Sequence, residues 1–273
     1  MEKIKKRDRI VFLGTGGGKS VMFTQVRKTG GVYIELDGKK FIVDPGPGAL
    51  IYAQKLKLRP EKWDAILLSH FHPDHCTDAN VLLDGISHLG NKKPLLIAEE
   101  QCLKHNNKHE SYHQCISNYH QALADVRAAK PGSRIAVNGL GIRVNRADHY
   151  DPTVGFTIAG SKQIGYPSDG TYYKGQGKGY DCDVLILNIL VPKGKKAKLF
   201  KHMSVDDAIK LIKAIKKKPK LVIITHFSFW MLRSNVWAQA KIIEKATGIK
   251  TIPAEDFMEV DLDTLKTRKL KEK

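Results

Sequence analysis

Three histidines and an aspartate crowd into one short run, Ser69-His-Phe-His-Pro-Asp-His75, at His70, His72, Asp74 and His75. Imidazole and carboxylate are the donors that zinc, manganese and iron accept. Side chains spaced i, i+2, i+4 and i+5 cannot share one face of a helix, but a tight loop can turn them toward two adjacent ions. The apolar run Ala65-Ile-Leu-Leu68, too short for a helix, delivers the chain to this loop, and Pro73 stiffens it. The chemistry such a cluster supports is metal-assisted hydrolysis, in which divalent ions activate water and neutralise charge on a phosphoryl or acyl oxygen.

A two-metal site needs more donors than one loop supplies. His149 follows a strand-like segment at 142–144, Asp169 follows one at 163–166, and His226 directly ends the apolar run Leu221-Val-Ile-Ile-Thr225. Polar residues just past the carboxyl ends of strands are where open α/β sheets place their sites. Read singly, His149 and His226 are equally compatible with ordinary loop histidines, and Asp169, before Gly170, with a turn residue. The case rests on their occurring together with the 70–75 cluster.

The elements that must position these residues are legible as well. Strands are expected at 10–13, 32–36 and 41–43, with Asp37-Gly38 as a hairpin turn, and at 65–68, 94–98, 135–137, 142–144, 155–159, 163–166, 184–187 and 221–225. A final short strand is expected within 253–260. Helices are predicted over 49–57 and roughly 234–246. A further helix follows Ser204, where Asp207 three residues on makes an acidic capping box and positions 208, 209, 211, 212 and 215 give a buried face. No linker divides the chain. The reading is one α/β domain over residues 1–273, two sheets packed together with helices outside, carrying a helical, histidine-rich insertion around 99–130.

The motif His70-x-His72-x-Asp74-His75, followed by His149, Asp169 and His226, resembles the metallo-β-lactamase fold superfamily, and the likeness runs from Phe12-Leu-Gly-Thr-Gly to His226. The resemblance implies an αββα sandwich with the site at one edge. It implies that His70, His72 and His149 hold one metal, that Asp74, His75 and His226 hold the second, that Asp169 bridges them, and that Asp44 braces the metal loop. Zinc is the first candidate for both ions, with manganese or iron also suited to the donors. Lys201-His-Met-Ser-Val-Asp-Asp-Ala208, ahead of Thr225-His-Phe-Ser228, looks like the phosphodiesterase branch, which includes tRNA 3′-processing endonucleases and cyclic phosphodiesterases of phosphonate metabolism. In that branch a histidine at the His202 position helps with proton transfer; otherwise His202 simply flanks a helix. The implied catalytic pair is Asp74, orienting the attacking hydroxide, and His202, stabilising developing charge or protonating the leaving oxygen. One departure counts against the tRNA-processing enzymes: only 19 residues separate His149 from Asp169, and no long glycine-rich arm is visible there.

Phosphodiester hydrolysis is therefore the leading expectation. Hydrolysis of a carbon ester, lactone or thioester is the alternative, and a nucleic-acid-binding or RNA-processing protein of the same fold is a third class. A di-iron redox role is disfavoured because His72 is not glutamate.

Composition agrees with a folded enzyme: 42% hydrophobic and 27% charged residues in 273. The formal net charge of +18 favours anionic partners, whether a small molecule or a nucleic acid, although a lysine-rich face is often just solvated. No apolar run reaches the ~18 residues of a membrane span, and the charged N-terminus lacks a signal-peptide pattern, so a cytoplasmic protein with reduced cysteines at 76, 102, 115 and 182 is expected.

Other signals are weaker. Leu13-Gly-Thr-Gly-Gly-Gly-Lys-Ser20 misses a P-loop by its first residue and is followed by a β-leaning Val21–Val26; it reads as a loop whose amides face an anionic substrate, or as a plain turn. His105, His109 and His113, with His120 beyond, suggest a solvated or dimer-facing helix before a metal stripe, which leaves a homodimer open. Phe229 and Trp230 would line a pocket or pack in the core, and Cys76 would pack beside the metal loop.

Overall fold

The computed structural model describes residues 7–88, 90–104, 114–137, 139–195 and 201–272. The chain starts with β1 (Arg9–Phe12), β2 (Val32–Leu36), β3 (Lys39–Val43), β4 (Ala65–Leu68), β5 (Leu95–Glu99) and β6 (Asp125–Ala129). It then builds a second sheet from β7 (Arg134–Val137), β8 (Leu140–Arg146), β9 (Val154–Ala159), β10 (Gln163–Tyr166), β11 (Val184–Asn188), β12 (Leu221–Thr225) and β13 (Thr251–Pro253). Finally β14 (Met258–Asp261) and β15 (Thr267–Lys269) return to the first sheet, whose order is β15-β14-β1-β2-β3-β4-β5-β6; the second runs β13 to β7 in descending order. Each sheet is parallel on one side and antiparallel on the other: β3 to β6 and β10 to β13 are parallel, and the rest pair antiparallel.

Alternation along the strands explains the layering. Ile10 and Phe12 point between the sheets, with Ile34, Val43, Leu67, Ile142, Phe156, Ile164, Ile186 and Ile223. Val11 and Leu13 point the other way, toward a layer built on α2 (Ala49–Lys55), α3 (Pro73–Cys76), α4 (Ala79–Ser87) and α5 (Glu100–Leu103), while the short helices α1 (Lys19–Thr24) and α6 (Asn118–Ala122) add nothing to that apolar cluster. Leu185, Leu187, Val222 and Ile224 likewise face α7 (Val205–Ala214), α8 (Phe229–Arg233) and α9 (Val236–Thr247). The result is the expected αββα sandwich. No helix among the described residues is long and apolar enough to cross a membrane.

Local signals behave as their chemistry dictates. Asp37 and Gly38 both take positive φ, as a two-residue hairpin requires. The Ser204 hydroxyl accepts from the Asp207 amide while the Asp207 carboxylate accepts from Ser204 N–H, so both halves of the capping box form.

Three expectations need correction. The segment around 99–130 is not simply helical: among its described residues, short helices α5 and α6 lead into β6, an edge strand pairing parallel with β5. Only Ala129 of β6 is fully buried, so the strand carries no apolar run to betray it. Val21–Val26 is not a strand, because Lys19–Thr24 is helical and packs Val21 onto Gly16. The stretch 253–260 is shared by two strands in different sheets, and the lysine-rich tail forms β15, an exposed edge strand of the charged kind that resists further pairing. His105, His109 and His113 lie outside the described residues. His120 is engaged by Ser117 Oγ at 2.7 Å and Asp84 Oδ2 at 3.2 Å.

Glu99, at the end of β5, caps α5 through the Gln101 amide. Burial pushes its carboxyl up to about 7 from an ordinary 4.5. The folded chain therefore holds a proton that the unfolded chain releases, and stability falls as pH rises from about 4.5 through 7. Glu99→Gln, which keeps the capping oxygen, is expected to stabilise the protein by about 2–3 kcal/mol at pH 8 and hardly at all at pH 4, read by thermal melts at both pH values.

Candidate metal centre

The loops past the carboxyl ends of β3, β4, β8, β10 and β12 meet at one edge of the sandwich. They carry Asp44, the 70–75 run, His149, Asp169 and His226 respectively. All seven sequence-predicted ligands converge there, and His202 reaches the same place from the turn before α7. His70, His72 and His149 each present a ring nitrogen, all within 4.8 Å of one another; so do the ligand atoms of Asp74, His75 and His226. Asp169 lies between the two groups: its Oδ2 is 3.6 Å from both His75 Nε2 and His226 Nε2 and 3.2 Å from His202 Nε2, and its Oδ1 accepts from Asn188 Nδ2 at 2.8 Å.

The outer nitrogen of each of four imidazoles is tied to an acceptor, which fixes the tautomer and turns the remaining lone pair inward. His75 Nδ1–H donates to Asp44 Oδ2 at 2.9 Å, His149 Nδ1–H to the Lys201 carbonyl at 2.9 Å, and His72 Nε2–H to Asp151 Oδ2 at 2.9 Å. Ser69 Oγ spends its proton on Asp44 Oδ2 and so accepts from His70 Nδ1–H at 2.9 Å. The inward nitrogens then crowd together, His70 Nε2 against His72 Nδ1 at 3.0 Å and His75 Nε2 against His226 Nε2 at 3.1 Å. His149 Nε2 is buried with no hydrogen-bond partner. Facing lone pairs and an orphaned buried nitrogen fit a donor set built for cations.

The electrostatics agree. Burial and the neighbouring ring of His75 hold His70 well below the ordinary imidazole range, and burial lowers His149. Burial opposes ionisation of Asp74 and Asp169, yet the imidazoles of His75 and His226 outweigh it and keep both carboxyls far below their usual values. His75 shows the converse: burial disfavours its charge, but Asp169, Asp74 and Asp44 raise it well above normal. Three buried carboxylates around one imidazole call for positive charge.

Of the two readings left open for the glycine loop, the anion-facing one does not hold. Gly18 N–H donates to Asp74 Oδ2 at 2.9 Å, Gly17 N–H to the Phe227 carbonyl and Gly16 N–H to the Lys28 carbonyl, so these amides serve the protein and not a substrate anion. Gly17 lies flat on His226: an added Cβ would sit 2.2 Å from the ring. Gly17→Ala is expected to displace His226 and cut hydrolytic turnover about 10²-fold with the fold retained, checked by steady-state kinetics beside circular dichroism.

Several participants escaped the sequence reading. Tyr166 O–H donates to Asp44 Oδ2 at 2.8 Å, and Ser168 Oγ–H donates to Ser69 Oγ at 2.7 Å. Asn188 and Asp151 hold Asp169 and His72 in turn. Asn188 ends β11 at the same sheet edge, so the strand-end rule that found His226 also reaches it. His226, Asp44, Ser168 and Lys201 all have positive φ, a conformation that non-glycine residues adopt at a cost and that clusters where side chains must be aimed. Phe229 and Trp230 are not core residues; Trp230 is exposed at the surface with Lys195 Nζ 5.8 Å from its ring. Cys76 is buried and donates its S–H to the Phe71 carbonyl at 3.0 Å.

The chain belongs to the β-lactamase superfamily: the model of the β-lactamase superfamily domain matches residues 39–227. It is 34% identical over 266 residues to an uncharacterized protein of Methanocaldococcus jannaschii, covering 94% of this chain and 96% of that one. It is 36% identical over 89 residues to ribonuclease Z of Methanosarcina mazei, a match that takes in 33% of this chain and 28% of the enzyme. Among solved structures, the metallo-β-lactamase fold protein YhfI from Bacillus subtilis superposes with a TM-score of 0.75 at 18% identity, covering 93% of this chain and 98% of that one. A diphosphatase from the PhnP family superposes at 0.66 and 18% identity, covering 93% and 98%.

Proposed function

We propose that the protein is a metal-dependent phosphodiesterase whose two ions are held by His70, His72 and His149 on one side and Asp74, His75 and His226 on the other, with Asp169 shared between them. The observation that carries this reading is the inward convergence of ring nitrogens from His70, His72, His75 and His149, whose outer nitrogens are already committed. Bound there, two divalent ions, zinc first among the candidates, supply the Lewis acidity that makes water nucleophilic near neutral pH and offsets charge on the phosphoryl group.

The chain's own residues do the rest. Asp74, fixed by Gly18 N–H, orients the attacking hydroxide. His202, partly exposed and 3.2 Å from Asp169, stands on the solvent side, where it stabilises developing negative charge or protonates the leaving oxygen. Support for an anionic substrate comes from the rim. Lys201 Nζ lies 5.7 Å from the ring of the exposed Tyr150, beside His149, and Lys195 stands over Trp230, four residues past His226. The names ribonuclease Z and diphosphatase among the relatives both denote cleavage at phosphorus, the first of a phosphodiester. Whether the anion is a nucleic acid or a small molecule is a question for substrate profiling.

The test is hydrolysis of bis-p-nitrophenyl phosphate before and after chelation, run beside a lactone panel. Activity on the phosphodiester that disappears on verified metal removal and returns with zinc is the expected result. Undiminished activity without metal, or hydrolysis confined to lactones, overturns it. His202→Ala is expected to lower kcat about 10²-fold with two metals still bound.

A further inference from the structure

Three of the four free cysteines meet in the helical layer outside the first sheet. Cys76 closes α3, Cys102 lies in α5 and Cys115 precedes α6. All three side chains pack into the same apolar cluster. The Cys115 Sγ lies 3.8 Å from the Cys102 carbonyl oxygen. The backbone is fixed in this arrangement, since Ile116 N–H donates to the Cys102 carbonyl at 3.0 Å and Asn80 Nδ2 donates to the Cys115 carbonyl at 2.8 Å. Cys102 and Cys115 thus lie on paired backbone segments, the close approach that a disulfide requires. Cys102 and Cys76 are buried, whereas Cys115 is partly exposed.

We propose that Cys115 and Cys102 form a dithiol that hydrogen peroxide oxidises to a disulfide, with Cys115 as the thiol that reacts first. The Cys115 sulfur attacks one peroxide oxygen and the O–O bond breaks. The departing hydroxide takes up the thiol proton as water, leaving a sulfenic acid. The Cys102 sulfur then attacks the Cys115 sulfur, the S–S bond forms, and the S–O bond breaks with loss of a second water that carries the Cys102 proton. Two thiols lose two electrons and one peroxide becomes two waters. The order follows from access: Cys115 is partly exposed, whereas Cys102 is buried and burial pushes its thiol up. Cys76 directly follows His75, so the pair abuts the loop that carries the candidate ligands. The chemistry does not depend on the hydrolase reading.

The experiment treats the metal-loaded protein with hydrogen peroxide, blocks remaining thiols with N-ethylmaleimide under denaturing conditions, and maps peptides without reduction. The expected product joins the Cys102 and Cys115 peptides with loss of two hydrogens, is reversed by dithiothreitol, and is absent from Cys115→Ser and Cys115→Ala. In Cys102→Ser, dimedone is expected to capture a sulfenic acid on Cys115. Cys182, buried against the other sheet, serves as the internal control. Four fully alkylated thiols after peroxide, or oxidation of Cys182 to the same extent, overturn the proposal. So does a third zinc per chain that Cys115→Ser releases, because the thiols would then be ligands.

Discussion

Asp169→Asn is expected to lower kcat on a phosphodiester by about 10³-fold, roughly 4 kcal/mol of lost transition-state stabilisation. The substitution is nearly isosteric, and Oδ1 can still accept from Asn188. What changes is the atom facing His75, His226 and His202, where an anionic oxygen gives way to an amide. With one charge fewer between the two groups of imidazoles, bound metal is expected to fall from two equivalents toward one. Metal analysis, kinetics and circular dichroism on the same sample separate this from misfolding. An asparagine variant that keeps two metals and full turnover removes Asp169 from its shared position.

The second large effect concerns Asp44, whose carboxylate lies within 4.8 Å of ring nitrogens of His70 and His75 and organises the loop that carries them. Its carboxylate accepts from Ser69 N–H at 2.7 Å, Ser69 O–H at 2.6 Å, His75 Nδ1–H at 2.9 Å and Tyr166 O–H at 2.8 Å. Four donors converge on one buried anion, so Asp44→Ala strands all four. The expected cost is about 3–5 kcal/mol of stability together with a 10–100-fold loss of metal affinity. Tyr166→Phe removes a single donor and should cost about 1 kcal/mol. Urea unfolding measures the first quantity and metal titration the second. A variant that loses stability but binds metal normally would show that Asp44 only cements the fold.

How much of this was legible in the sequence depends on whether a residue's role was local. The 70–75 run announces itself because its donors are adjacent, and Ser204 with Asp207 declares a helix start for the same reason. His149, Asp169 and His226 were reachable through the strands that precede them. Most of the braces were not: Tyr166, Ser168 and Asp151 matter through partners far off in the chain, whereas Asn188, at the end of β11, lay within reach of the same strand-end rule. β6 and β15 were missed because an edge strand buries little and so needs no apolar run. For the glycine loop the sequence left two readings open, a loop facing an anion and a plain turn. Its composition resembles an anion-binding loop, but its amides are consumed by Asp74, Phe227 and Lys28.

The candidate donors are divided between the two sheets, with His70, His72, Asp74 and His75 following β4 and His149, Asp169 and His226 following strands of the second sheet. Neither half of the chain can assemble the site by itself. Ions that bind only the assembled arrangement would therefore act as a rivet between the halves, adding stability by mass action, about 4 kcal/mol for each ion present at a thousand times its dissociation constant. Metal uptake then becomes a late event in the life of each molecule, a sign that both halves have folded and docked, and scarcity of metal would be felt as loosened architecture before it was felt as lost chemistry.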